Sequence, residues 1–317
     1  MIETMTATLS PMLVLFLCMV IGFVLKKKHL IPDNADTVLS QLETTVLVPA
    51  LSINNFMNYC TVASIRECYT IVLYSVFALM IALLIGIPLS RFFAKKGEYQ
   101  RNVYKYALSF SNFGFMGNSV VLAILGAQNP EALYQYLLFT LPLSAVVSTW
   151  GLMILIPQGE DGQNPLKNLF NPTFVGIFIG MILGLTGAKA YLPSFILRVI
   201  DDCQKCMGPL AMILTGFVIG GYPFKEMLSN KKVYVATGLR LFVLPAIILA
   251  ILKLVGAPDL VMNLALFAYA TPLGLNTVVY PAAYGGDFKT GASMAMISHT
   301  LCVISIPIMY AILTTIL

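Results

Sequence analysis

Residues 107–126 read ALSFSNFGFMGNSVVLAILG, and residues 268–285 read AYATPLGLNTVVYPAAYG. Their centres align as Gly117-Asn118-Ser119-Val120-Val121 and Leu275-Asn276-Thr277-Val278-Val279, 158 residues apart in a chain of 317. Each copy lies in an apolar stretch, and each is interrupted midway by helix-breaking and polar residues: Gly114 and Gly117 in one, Pro272 and Gly274 in the other.

The surroundings are those of a membrane protein. The chain is 58% hydrophobic and 10% charged, with a mean hydropathy of +0.85, whereas soluble domains carry about 25% charged residues. Several apolar runs exceed the ~18 residues that mark a spanning helix. Ten spans are predicted, at 9–25, 34–57, 68–92, 104–127, 132–156, 171–187, 202–222, 232–255, 260–285 and 290–316. The polar connection Pro157–Asn171 joins two halves, 1–157 and 171–317, through a linker at 158–170. The start, MIETMTATLSPMLVLF, reads as a retained first span, without a basic leader.

The net charge of +5 sits in short loops, where it sets topology and does not call for a nucleic-acid partner. Lys26, Lys27, Lys28, Arg91, Lys95, Lys96, Arg101, Lys105, Lys167, Lys225, Lys231, Lys232 and Lys289 fall on one side; Arg66, Lys189, Arg198, Lys205 and Lys253 fall on the other. The positive-inside rule puts the first group in the cytoplasm and both termini outside. With five spans per half, the second half starts on the opposite side from the first, so the repeats are inverted. Fainter correspondences pair Pro49 with Pro209 and spans three and eight through Pro88 and Pro245. Mid-span hydroxyls pair as Thr140, Ser144 and Ser148 with Ser298, Thr300 and Ser305; their ordinary reading is close helix packing.

Two interrupted helices in corresponding inverted halves point to a binding site at their crossing. Non-helical backbone persists in hydrocarbon only where protein or a watery cavity satisfies it. The breaks offer Ser111, Asn112, Asn118 and Ser119 on one side and Thr271, Asn276 and Thr277 on the other, with no Asp or Glu. Half-helix N-termini favour anions, and the missing carboxylates argue against a central cation site. The expected ligand is therefore a small organic anion. Three further intramembrane residues stand out. Arg240 either meets an anionic ligand or bonds helix-end carbonyls; Glu43 is either its partner or a proton carrier; His299 either couples to protons or is a structural histidine. Of the six cysteines, Cys203-x-x-Cys206 is the close pair, and alone it is a weak metal signal.

Asn112-x-Gly114-x-x-Gly117, Arg240-x-x-x-x-Pro245 and the run ATPLGLNTVVYPAAYGGD (270–287) resemble the auxin efflux carrier family, which includes plant auxin exporters and bacterial permeases labelled malate or malonate carriers. The resemblance extends over all ten spans. It implies an all-α polytopic fold with a 5+5 inverted repeat and broken, crossing helices four and nine, similar to sodium/proton antiporters and bile-acid symporters. It also implies a homodimeric scaffold from spans 1, 2, 6 and 7, and an elevator-like transport domain from spans 3–5 and 8–10. The family's crossing asparagine falls on Asn112 and its second-repeat proline on Pro272. The chain departs from the family where Asn118 replaces a proline after Gly117. Without the long loop of the plant exporters, the chain resembles a compact bacterial permease of the cell membrane.

The expectation is a secondary transporter of a carboxylate, auxin-like or dicarboxylate anion in a lipid bilayer, coupled to H+, Na+ or the membrane potential, with no cofactor or metal. A sodium-coupled symporter of larger anions such as bile acids is the alternative. No G-x-x-x-x-G-K-[ST] and no H-E-x-x-H occurs, so neither nucleotide drive nor an intramembrane enzyme is expected.

Overall fold

The computed structural model describes residues 2–126, 129–157 and 171–316. The linker expected at 158–170, with Lys167, lies outside them. The described chain is helical. Helix α1 spans Ile2–Lys27; α2 (Ala35–Leu42) runs through a π turn, Glu43–Leu47, into α3 (Val48–Tyr59); α4 is Ile65–Leu89. Helix α5 (Tyr99–Ser109) is broken from a π turn at Phe113–Gly117 that leads into α6 (Asn118–Ile124), and α7 (Ala132–Val146) ends in a π turn at Val147–Gly151. Helices α8 (Pro172–Thr186), α9 (Ser194–Gly220) and the short α10 (Phe224–Ser229) follow. Helix α11 (Lys231–Gly238) passes through a π turn, Leu239–Val243, into α12 (Leu244–Leu254). Helix α13 (Asp259–Tyr269) is broken from α14 (Asn276–Ala283), and α15 (Lys289–Ile316) closes the fold.

Among the described residues, six helical stretches are long and apolar enough to cross a membrane: Thr4–Lys27, Cys68–Phe92, Ala132–Gly151, Ser194–Gly220, Lys231–Leu254 and Lys289–Ile316. Three apolar stretches are shorter: Phe113–Ile124, Pro172–Thr186 and Asp259–Tyr269. The outward faces are apolar too. Leu17 on α1 and Phe178 and Ile182 on α8 are each more than half exposed, as side chains facing lipid are.

Two of the π turns have the same local cause. Pro49 and Pro245 lack the N–H that would bond the carbonyl four residues back, at Thr45 and Leu241, and the helix widens around those residues. Pro209, expected to match Pro49, instead lies inside the continuous helix α9. That helix also begins at Ser194, eight residues before the expected span. Its first turns are polar but are held as helix by i,i+4 pairs, Lys205–Asp201 at 2.5 Å and Arg198–Asp202 at 3.9 Å.

Small residues set the closest helix contacts. Gly176, Gly180 and Gly184 repeat every fourth position along α8 and lie against α3; a Cβ on Gly180 would stand 2.7 Å from Phe56 Cβ and 2.9 Å from the Ile53 carbonyl. This stripe lets two backbones approach where lipid offers no hydrophobic drive for association. Helix α3 thus becomes one wall facing the two broken helices.

Candidate functional site: a neutral cavity floored by two helix breaks

The first break is not at the glycines. Helix α5 stops at Ser109, Phe110 is extended (φ −121°, ψ 143°), and the chain re-enters helix only after Asn112. Gly114 and Gly117 lie beyond it, in the π turn, and neither has positive φ. What ends the helix is a tertiary partner: the Asn112 amide donates to the Pro272 carbonyl at 2.7 Å, and Ser111 and Leu273 form an antiparallel bridge. The two breaks therefore satisfy each other's backbone, as buried backbone must be satisfied in hydrocarbon. The Ser111 hydroxyl adds a bond to the Ala268 carbonyl at the end of α13.

Tyr136, on α7, pins the crossing. Its hydroxyl lies 3.0 Å from the Phe113 carbonyl and 3.4 Å from that of Phe267, so one fully buried phenol serves both arms. A Cβ at Gly117 would fall on that hydroxyl, which explains glycine there without any need for unusual dihedrals. Tyr106 plays a related part, accepting from Asn276 Nδ2 at 2.8 Å. Neither tyrosine was singled out from the sequence, because their hydroxyl partners are 23 to 170 residues away.

The expected site residues divide into two groups. Ser111, Asn112, Gly114, Asn118, Gly274 and Asn276 line a narrow cavity of about 190 Å³ over the crossing. The rest do not. Ser119, Thr271 and Thr277 turn their hydroxyls back on the carbonyls of Phe115, Ala268 and Gly274. Gly117 faces Tyr136, and Pro272 contributes its carbonyl to Asn112. Thr140, Ser144 and Ser148, the hydroxyl residues read as packing groups, also border this cavity, with the Thr140 hydroxyl turned back on the Tyr136 and Leu137 carbonyls. The Asn118 Oδ1 atom is buried and has no hydrogen-bond partner. Among the described residues no Asp, Glu, Lys, Arg or His lines this cavity. Among the described residues no three His, Cys, Asp or Glu side chains group as metal ligands would.

The narrow cavity shares Thr44, Phe115, Val147, Ser148, Asn171, Thr173, Leu275 and Asn276 with a wider cleft of about 760 Å³. That cleft runs past Ser40 and Thr37 to Asp36, and past Tyr280 to Tyr284. It reaches the end of the molecule that carries the Lys26–Lys28 loop. Toward the other end of α7 stands Tyr134. Its ring packs edge-on against Phe56 (5.1 Å between centroids) and beside Tyr59 (6.3 Å), and its hydroxyl meets Cys68 Sγ at 2.9 Å and Ser64 Oγ at 3.4 Å.

The three intramembrane ionisable residues all lie outside the cavity wall, each fully buried. Arg240 donates from Nη1 to the Leu108 carbonyl at 3.5 Å, one of the carbonyls left free where α5 ends, and Nε and Nη2 have no partner. A cation at a helix C-terminus is favourably placed. His299 Nδ1 donates to the Ala295 carbonyl at 2.8 Å, which leaves Nε2 to accept from Asn112 Nδ2 at 3.1 Å. The histidine thus fixes the orientation of the crossing asparagine. Glu43 does not pair with Arg240; neither carboxylate oxygen has a hydrogen-bond partner.

Apolar helices with lipid-facing surfaces, enclosing a neutral polar cavity at two mutually satisfied helix breaks, define a membrane transport protein. The profile of the membrane transport protein family matches residues 7–165 and 161–310. The chain belongs to this family, that of the auxin efflux carriers. It is also 27% identical over 198 residues to an uncharacterized transporter of Methanocaldococcus jannaschii. The match covers 62% of this chain and 63% of that protein's length.

Proposed function

We propose that this transporter is a secondary carrier of a small organic anion, a carboxylate of the dicarboxylate or indole-acid kind, working by elevator-type alternating access. The observation that carries the reading is the narrow cavity over the crossing. Among the described residues it presents the amides of Asn112, Asn118 and Asn276 with the hydroxyls of Ser144 and Ser148, and no charged side chain. Amide N–H and hydroxyl groups donate to a carboxylate, while the unpaired Asn118 Oδ1 accepts from a ligand O–H or N–H. A volume of about 190 Å³, some six water volumes, favours a small ligand over one the size of a bile acid. Among the described residues the wall carries no carboxylate, the donor a sodium site would use first.

The ten-span, 5+5 inverted-repeat reading goes with this proposal. Ten hydrophobic segments, a pair of breaks half a chain apart, and the basic residues concentrated on alternate loops support it. The division into a scaffold (spans 1, 2, 6 and 7) and a transport domain (spans 3–5 and 8–10), the homodimer and the cell-membrane location belong to the same proposal and rest on the family resemblance. On this orientation the wide cleft opens to the cytoplasm, and Tyr134 lies toward the outer side.

Purified protein in liposomes, offered radiolabelled malate, malonate and indole-3-acetate, tests the proposal. At least one probe should be taken up, and Asn112→Ala or Asn276→Ala should abolish its uptake while the variants remain folded. Wild-type uptake by both variants would remove the crossing as the substrate site.

A further inference from the structure

Of the three buried ionisable residues singled out from the sequence, Glu43 alone makes no side-chain hydrogen bond. Arg240 is committed to the end of α5, and both ring nitrogens of His299 are engaged, one by Ala295 and one by Asn112. Glu43 is fully buried, and both its oxygens are without a hydrogen-bond partner. Among the described residues it is the only acidic side chain that is buried.

Among the described residues nothing nearby compensates a charge there. The π turn carrying Glu43 packs on α8 and α9 and continues from α2 into α3. Helix α8 has no ionisable residue, α3 has only Tyr59, and α2 has only Asp36, two turns away. The ionisable residues of α9 are Arg198, Asp201, Asp202, Cys203, Lys205 and Cys206. They lie toward the opposite end: Gln204 accepts from Asn54 and Asn55, while Leu214 and Val218 share the cleft wall with Ser40 and Thr44. Helix α9 therefore runs antiparallel to α3, and Glu43 lies level with its uncharged stretch. A carboxylate so placed has neither solvent nor partner and stays neutral by holding a proton.

Its location couples it to the cavity. The next residue, Thr44, lines both the narrow cavity and the wide cleft, and Ser40, one turn earlier, lines the cleft. A π turn is a helical segment with an alternative register close at hand, and such turns recur at functional sites.

We propose that Glu43 is the proton-binding site of this carrier, which makes it a proton-coupled transporter; the inference rests on the transport reading above. In the conformation described, Glu43 is a carboxylic acid. When the π turn admits water from the cleft, the O–H bond breaks, the proton passes to that water, and the carboxylate is hydrated. Reprotonation from the opposite side precedes its burial again. One proton moves per cycle, so co-transport with a monocarboxylate moves no net charge.

Two measurements on the full-length protein in proteoliposomes test this. The first is infrared spectroscopy at neutral pH. A carboxylic acid C=O band should be present in the wild type, absent from Glu43→Gln, and lost from the wild type as pH is raised. The second uses vesicles with a pH gradient and radiolabelled malate, malonate and indole-3-acetate. One pH unit supports up to about tenfold accumulation for one coupled proton, and this ratio should fall to about one in Glu43→Gln, in whatever transport it retains. A wild type without the band, or a Glu43→Gln variant that keeps the gradient response, overturns the proposal. If the wild type moves none of the probes, the carrier reading fails on that panel, and the infrared band alone decides the proton site.

Discussion

Gly117→Ala should destabilise this protein for one identifiable reason, and Tyr136→Phe should remove that reason. A Cβ at residue 117 would fall on the Tyr136 hydroxyl, with Cζ 3.0 Å and Cε1 3.4 Å away. The phenol has little room to retreat, because it is fully buried and held between the Phe113 and Phe267 carbonyls at 3.0 and 3.4 Å. Overpacking costs about 1–3 kcal/mol and a displaced hydrogen bond about 1 kcal/mol more. The better helix propensity of alanine returns about 1 kcal/mol. The net cost in the wild-type background is about 1–3 kcal/mol. Tyr136→Phe alone should cost about 1–3 kcal/mol, by leaving buried carbonyls short of a donor. With the oxygen gone, the added methyl meets only ring carbons that must give by a few tenths of an ångström. The alanine penalty should then fall below about 1 kcal/mol, a coupling of roughly 1–2 kcal/mol in the double-mutant cycle. Equilibrium unfolding of the four proteins in mixed micelles measures this. Costs that add to within about 0.5 kcal/mol, or a harmless Gly117→Ala, would refute the pin at the crossing.

The remaining expectations concern the walls around that crossing. Gly180→Leu should lower the unfolding midpoint more than any single substitution on the lipid face of α8, such as Ile182→Ala, because its side chain has no space against Phe56 and Ile53; thermal scans in detergent compare them. His299→Ala should free the Asn112 amide and raise the apparent KM for a transported probe, with partial rescue by His299→Gln, whose amide oxygen can accept the same bond; uptake kinetics read the difference. Tyr134→Phe should cost only about 0.5–1.5 kcal/mol of stability, yet speed labelling of the buried Cys60 by a membrane-impermeant maleimide, since the bonds to Cys68 and Ser64 are lost. In the loop after α1, the hydrogen bond and charge of Lys26 hold the Asp33 carboxyl below its ordinary 3.8. The stability this pair adds is present above that pH and is lost as pH falls through the lowered value; Lys26→Met should return the Asp33 titration, followed by NMR, toward 3.8.

How much of this was legible in the sequence depends on whether a cause is local. The second break was readable because proline carries its own cause, a missing N–H, wherever it stands. The first was misplaced because Phe110, Ser111 and Asn112 contain no helix breaker. What stops α5 is a carbonyl 160 residues away, that of Pro272, and the glycines that drew attention serve the Tyr136 contact and the cavity instead. The amides at the crossing were found since any polar group in an apolar span must answer for itself. The hydroxyls of Ser144 and Ser148 read as packing, because a serine or threonine can satisfy itself on its own helix, as Ser119 and Thr140 do.

The buried ionisable residues show the limit most clearly, and the reason is angular. Hydropathy says that Arg240, His299 and Glu43 are inside; only the rotation of each helix about its axis says what they face. Pro49 and Pro245 each place a π turn immediately before them, and the extra residue there shifts the faces upstream by about 100° relative to a regular helix. Both Glu43 and Arg240 lie within such turns, so extending the α3 or α12 pattern backward assigns them to the wrong face. That shift leaves Thr44 on the cavity and Glu43 beside it without a partner, and it carries Arg240 to the end of α5 instead of into the site. His299, in the uninterrupted α15, needs no such correction and lies beside the asparagine of the crossing. The two prolines therefore do more than bend their helices. They set which buried charges the cavity at the crossing is kept clear of, and its neutral described wall follows from them.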